Sequence, residues 1–95
     1  DAALRLVSRI ATKHGVTRYD VCSRKRSPTL ADVRMHVAHE LRRAGHSPER
    51  IALILRRDSP FVSDAIRRWP ARAAALGIEC IPLPEHLAPS SKEPA

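Results

Sequence analysis

Aromatic side chains are nearly missing from this chain, which has one Trp, one Tyr and one Phe in 95 residues. A basic helix that lies on a bilayer surface needs an exposed aromatic-rich face, so a membrane-surface role fits poorly. No apolar run approaches the ~20 residues that span a bilayer, and no signal-peptide pattern is present. Cysteine is scarce as well: Cys22 and Cys80 stand far apart without paired spacing. That excludes a disulfide framework and leads us to expect reduced, structural thiols in a cytosolic protein. There are only three glycines, and none belongs to a Gly-rich Lys-Ser/Thr loop for nucleotide phosphates. The length suits one domain with a modest core and no deep substrate pocket. No Cys-His, Ser-His-Asp or paired-carboxylate constellation stands out. The expectation is a non-enzyme with no cofactor, no metal and no small-molecule substrate. His36 and His39 lie one turn apart but lack a third ligand at metal-site spacing, and we expect them at the surface.

What is present is positive charge. Lys and Arg number 17 against 10 Asp and Glu, a formal net charge of +7 and a sequence pI near 10.7. The surplus is uneven, with 15 cations and 7 acids in residues 1–69 but 2 and 3 in residues 70–95. A field concentrated on the folded part attracts polyphosphate through counterion release.

The organising stretch is Ser47–Trp69, which reads as two short helices around the corner Arg56-Arg57-Asp58. Each helix carries a Ser-Pro start, Ser47-Pro48 and Ser59-Pro60: the serine caps orphan N–H groups and the proline has none to leave unpaired. Two starts twelve residues apart give helix-turn-helix spacing. Ile51, Ala52 and Leu55, then Val62, Ala65, Ile66 and Trp69, form apolar stripes at three- and four-residue intervals. Ser59, Phe61, Ser63, Asp64, Arg67 and Arg68 remain for a partner, with Phe61 partly exposed.

Around this pair the fold class is all-α, a small helical bundle. Leu4, Val7, Ile10 and Ala11 mark a helix over Asp1–His14 closed by Gly15. Thr17 and Asp20 form a capping-box-like start for a short helix ending near Cys22, with Tyr19 and Val21 facing the core. Ser23-Arg24-Lys25-Arg26-Ser27-Pro28 is a basic loop. Thr29-Leu30-Ala31-Asp32 starts the longest helix, about Leu30 to Ala44, buried through Leu30, Val33, Val37, Ala38 and Leu41. Its outer face carries Arg34, His36, His39, Arg42 and Arg43. Beyond Trp69, Pro70 either kinks the second helix of the pair or starts another over Ala71–Leu76, which Gly77 ends. Ile78–Leu83 reads as an extended strap over the helices, closing a domain of residues 1–83, and residues 84–95 as a disordered tail.

In order and spacing, residues 4–68 resemble the C-terminal DNA-binding domain of the bacterial replication initiator DnaA. The likeness rests on the basic loop Ser23–Ser27, the pattern Met35-x-x-Ala38-x-Glu40-Leu41, the corner His46-Ser47 and Arg57-Asp58 at the turn. Where the family carries Asp-His-Thr-Thr this sequence has Asp58-Ser59-Pro60-Phe61, and the family's paired glycines before the arginine shrink to Arg56. The resemblance implies a bacterial, nucleoid-associated protein that binds double-stranded DNA. The second helix of the pair would lie in the major groove and the basic loop on the adjacent backbone or minor groove. The residues assigned to DNA are Arg24, Lys25, Arg26, Arg34, Ser47, Arg56, Arg57, Asp58, Ser59, Pro60, Phe61, Ser63 and Arg67. The alternative is a protein-interaction module that docks a replication or transcription partner through the strap or the long helix.

Overall fold

The structure, a computed structural model, describes residues 1–88. Five α-helices follow one another: α1 Ala2–Lys13, α2 Arg18–Val21, α3 Pro28–Arg43, α4 Pro48–Leu55 and α5 Ser59–Leu76. Among the described residues there is no strand, as the all-α expectation required. Local chemistry sets the helix starts. The Asp1 carboxylate accepts from Ala3 N, and Thr17 with Asp20 completes a reciprocal capping box. Ser27 caps α3 through Leu30 N, with Pro28 in the first turn, so α3 begins two residues before the expected Leu30. Ser47 caps α4 through Arg50 N. The start of α5 departs from expectation: Asp58, not Ser59, is the cap, its carboxylate accepting from Phe61 N at 3.0 Å. A carboxylate serves better there because its charge also meets the positive end of the helix dipole. Pro70 neither ends α5 nor starts a new helix; α5 runs on to Leu76, and Gly77 closes it with positive φ.

α3 is the axis of the bundle, packed against α5, α1, α4 and α2. Every apolar residue expected in the core of α3, α4 and α5 is buried, including Trp69. Two expectations fail around this axis. Tyr19 is 73% exposed while Val21 is buried. A four-residue helix turns about 200° over two positions, so both cannot face inward. The supposed outer face of α3 is largely covered: Arg34 is 4% and His39 1% exposed. His36 is half-buried, stacked on Trp69 with ring centroids 4.5 Å apart, and its Nδ1 lies 3.0 Å from His14 Nε2. A helix enclosed on several sides has no broad solvent face to give its polar residues.

The strap 78–83 has no regular structure, and its Leu83 packs onto the core. Past it, Glu85–Leu87 form a 3-10 turn, and Arg42 Nε donates to Leu87 O at 3.2 Å. The described part of the expected tail is thus tied to α3, and residues 89–95 lie outside the described residues. Both cysteines are free thiols. No helix of the described residues is long and apolar enough to cross a membrane.

Candidate nucleic-acid interface

The turn between α4 and α5 is built on a strained residue. Arg56 adopts the left-handed conformation, φ 58° and ψ 45°, where glycine is the usual occupant. That geometry lets Arg57 N donate back to Ala52 O at 3.0 Å and turns the chain into the Asp58 cap. The Arg57 side chain then points to the basic loop, and its Nη2 donates to Ser23 O at 2.9 Å. The same guanidinium carbon lies 5.7 Å from the centroid of the Phe61 ring. One arginine therefore joins the loop, the turn and the first turn of α5.

The loop has a second anchor. Arg34 Nε donates to Val21 O at 2.8 Å, and its Nη2 donates to Asp20 O at 3.1 Å and Ser23 O at 3.0 Å. Its reading as a DNA contact is corrected: the guanidinium is spent inside the protein on three carbonyls that no helix satisfies. Cys22 adds a bond from Sγ to Ile54 O at 3.3 Å, and burial pushes its thiol pKa up. On this base Arg24, Lys25 and Arg26 stand exposed. Lys25 Nζ is 3.1 Å from the Asp20 carboxylate and, with the Thr17 cap, holds its pKa below the ordinary range.

Along α5, Pro60, Ser63 and Arg67 follow at three- and four-residue intervals and form one exposed stripe. Phe61 beside it is 37% exposed. Asp64 binds Arg67 at 2.6 Å and lies 3.6 Å from Arg68, so the stripe presents a paired cluster as well as free charge. Arg56 is exposed and Ser59 half-buried. Ser47 is exposed too, but it sits at the far end of α4, about 12 Å from the turn by helix rise. The structure brings Arg24–Arg26, Arg56–Phe61, Ser63 and Arg67 onto contiguous elements, leaves Ser47 at the edge and removes Arg34. The feature invisible in the sequence is the Ser23 carbonyl, which accepts from both Arg34 and Arg57; a backbone atom leaves no trace in side-chain patterning. Among the described residues no group of three or more His, Cys, Asp or Glu is placed to hold a metal ion. Comparison of the chain with protein-family models, with curated proteins and with solved structures gave no match.

Proposed function

We propose that the chain binds duplex DNA as a divergent counterpart of the replication-initiator domain it resembles. The observation that carries this reading is the Arg57 bridge between the basic loop and the helix-turn-helix corner. A helix of about 10–12 Å diameter fits the B-form major groove, which is about 12 Å wide. With the start of α5 in that groove, Arg24 and Arg26 reach the flanking backbone or minor groove, and Arg56 takes a phosphate. Ser63 and Phe61 are the side chains left for base edges, the ring meeting a thymine methyl. Such a protein works at the bacterial nucleoid.

The test is fluorescence anisotropy with a random duplex and an AT-rich duplex carrying the initiator family's box, each over a salt series. Affinity that falls steeply with salt on both is expected, with a log–log slope of about −4 to −5 for roughly five phosphates neutralised. Preference for the box beyond about tenfold would mean that the Ser59-Pro60-Phe61 head still reads it. No binding to either duplex refutes the proposal. A protein-docking module is favoured by the 74% exposure of Leu53 on α4 close to exposed Tyr19, and by the exposure of Ile81 on the strap. The long helix offers less surface for docking, since α1, α2, α4 and α5 all pack on it and leave Thr29, Ala31 and Arg43 exposed.

A further inference from the structure

Past Arg67 the stripe on α5 leads into a cleft between α5, α3 and the strap, of about 610 Å³. Ile66, Pro70 and Ala74 wall it from α5, and Ile78, Pro82 and Leu83 from the strap. The volume falls within the roughly 300–1,000 Å³ of small-molecule sites. Apart from Arg67, engaged by Asp64, the polar side chains in the wall among the described residues are His39 and Cys80. Their separation of 41 positions hid them from any reading by spacing. In the fold Cys80 Sγ lies 3.9 Å from His39 Nε2. The imidazole is buried, and its Nδ1 has no hydrogen-bond partner among the described residues. That nitrogen faces Glu40, whose Oε2 is 3.7 Å away, and Glu40 is held by Arg43 at 3.0 Å. Thiol, imidazole and carboxylate thus stand in the order of a nucleophile, its base and the group that orients the base, at the looser distances of an unliganded site.

Burial lowers the pKa of His39 and raises that of Cys80. Both are neutral near pH 7, so the imidazole is free to take a proton that the thiol still holds. Cys22 is a built-in contrast: its thiol donates to the Ile54 carbonyl and no histidine lines its pocket.

We propose that Cys80 accepts an acyl group from a thioester donor with a long apolar chain, His39 serving as general base and the cleft holding the chain. Sγ attacks the thioester carbonyl carbon as its proton passes to His39 Nε2. The new C–Sγ bond forms, the C–S bond of the donor breaks, and the leaving thiolate takes the proton back from His39. The products are S-acyl Cys80 and a free thiol, with no change of oxidation state. Glu40 is a positioning residue: closing the 3.7 Å gap to Nδ1 into a hydrogen bond sets the tautomer that turns the Nε2 lone pair to the thiol. The site stands independently of DNA binding.

The intact chain is incubated with octanoyl-CoA near pH 7 and followed by intact-mass spectrometry, with glutathione as the reference thiol. One octanoyl group is expected, added at least about tenfold faster than to glutathione or than an acetyl group from acetyl-CoA. Neutral hydroxylamine removes it, Cys80→Ser abolishes it and Cys22→Ser leaves it. His39→Gln should bring the rate down to that of glutathione. Because a change at a buried histidine risks unfolding, the pH profile of the unaltered chain provides a second reading. General-base attack holds the rate level from pH 7 to 8, whereas simple thiolate chemistry raises it about tenfold per unit. Equal labelling of Cys22 and Cys80, a rate no higher than that of glutathione, or that tenfold climb overturns the proposal.

Discussion

Replacing Arg57 by alanine removes a guanidinium that works in two places, and the two effects separate by experiment. Inside the protein it donates to Ser23 O at 2.9 Å. A hydrogen bond from a charged donor contributes about 1.5–3 kcal/mol when buried. Arg57 is only half-buried, and Ser23 O keeps the Arg34 donor at 3.0 Å, so we place the stability loss near 1 kcal/mol. For a domain of this size that lowers Tm by about 4–8 °C, a shift that scanning calorimetry resolves while the fold persists.

On DNA the loss is larger if Arg57 also sets the loop. A lone phosphate contact would cost about 1 kcal/mol and reduce the salt slope by about one. Misplacing Arg24 and Arg26 adds to this, so a total near 2–3 kcal/mol is expected for Arg57→Ala. The assay is a double-mutant cycle by anisotropy, with Arg24→Ala/Arg26→Ala as the second arm. In the loop-deficient background Arg57→Ala should cost only about 1 kcal/mol, a coupling of 1 kcal/mol or more. Additivity within about 0.3–0.5 kcal/mol would refute the claim that Arg57 presents the loop. Arg57→Lys keeps the charge without the planar donor fork, so it should restore the slope and leave the coupling missing.

Three further outcomes follow from the same geometry. Arg34→Met strands the Val21 carbonyl and takes one donor each from Asp20 O, which keeps Ser23 Oγ, and Ser23 O, which keeps Arg57, and should cost about 1–3 kcal/mol in urea denaturation, with the salt slope of DNA binding by the folded fraction unchanged; a slope reduced by one would return Arg34 to the interface. Arg56→Gly relieves the left-handed residue and should raise stability by about 0.5–1 kcal/mol while flattening the salt slope by about one, so a destabilised variant would contradict the strain argument. His36 titrates at about 4 in the fold, lowered first by burial and then by His14, against about 6.5 unfolded. The unfolded chain therefore takes the proton first: stability is full above about pH 6.5 and drops by about 2–3 kcal/mol as pH falls towards 4, with His14 and His39 acting in the same direction. Urea midpoints at pH 7.5 and 4.5 measure the drop, His36→Phe should lessen it by keeping the stack on Trp69 without the charge, and equal midpoints for the native chain would refute it.

What was legible in the sequence, and what was not, divides along a physical line. An apolar residue needs only to be removed from water, so its period in the chain reports its direction, and Val33, Val37, Leu41, Val62 and Trp69 were all found where the stripes put them. A polar residue on a helix reports its direction only if the helix has one wet face, and α3 does not: α1, α2, α4 and α5 all pack on it. Arg34 and His39 are buried there for opposite reasons. Arg34 is satisfied by carbonyls from a one-turn helix and a loop, whereas His39 keeps an unpartnered nitrogen beside Glu40 and faces a thiol 41 positions away. The caps show the same division. Ser-Pro located the starts of α4 and α5 to within a residue, whereas the Ser27-Pro28 start of α3 lies in the stretch that reads as the basic loop; which oxygen caps α5 depended on Arg56 turning left-handed, a conformation glycine would announce and arginine conceals. Of the thirteen residues assigned to DNA, Arg34 is the one that is buried, because it lies on the enclosed helix; Arg57 and Ser59 are half-buried, and the other ten are exposed among the described residues.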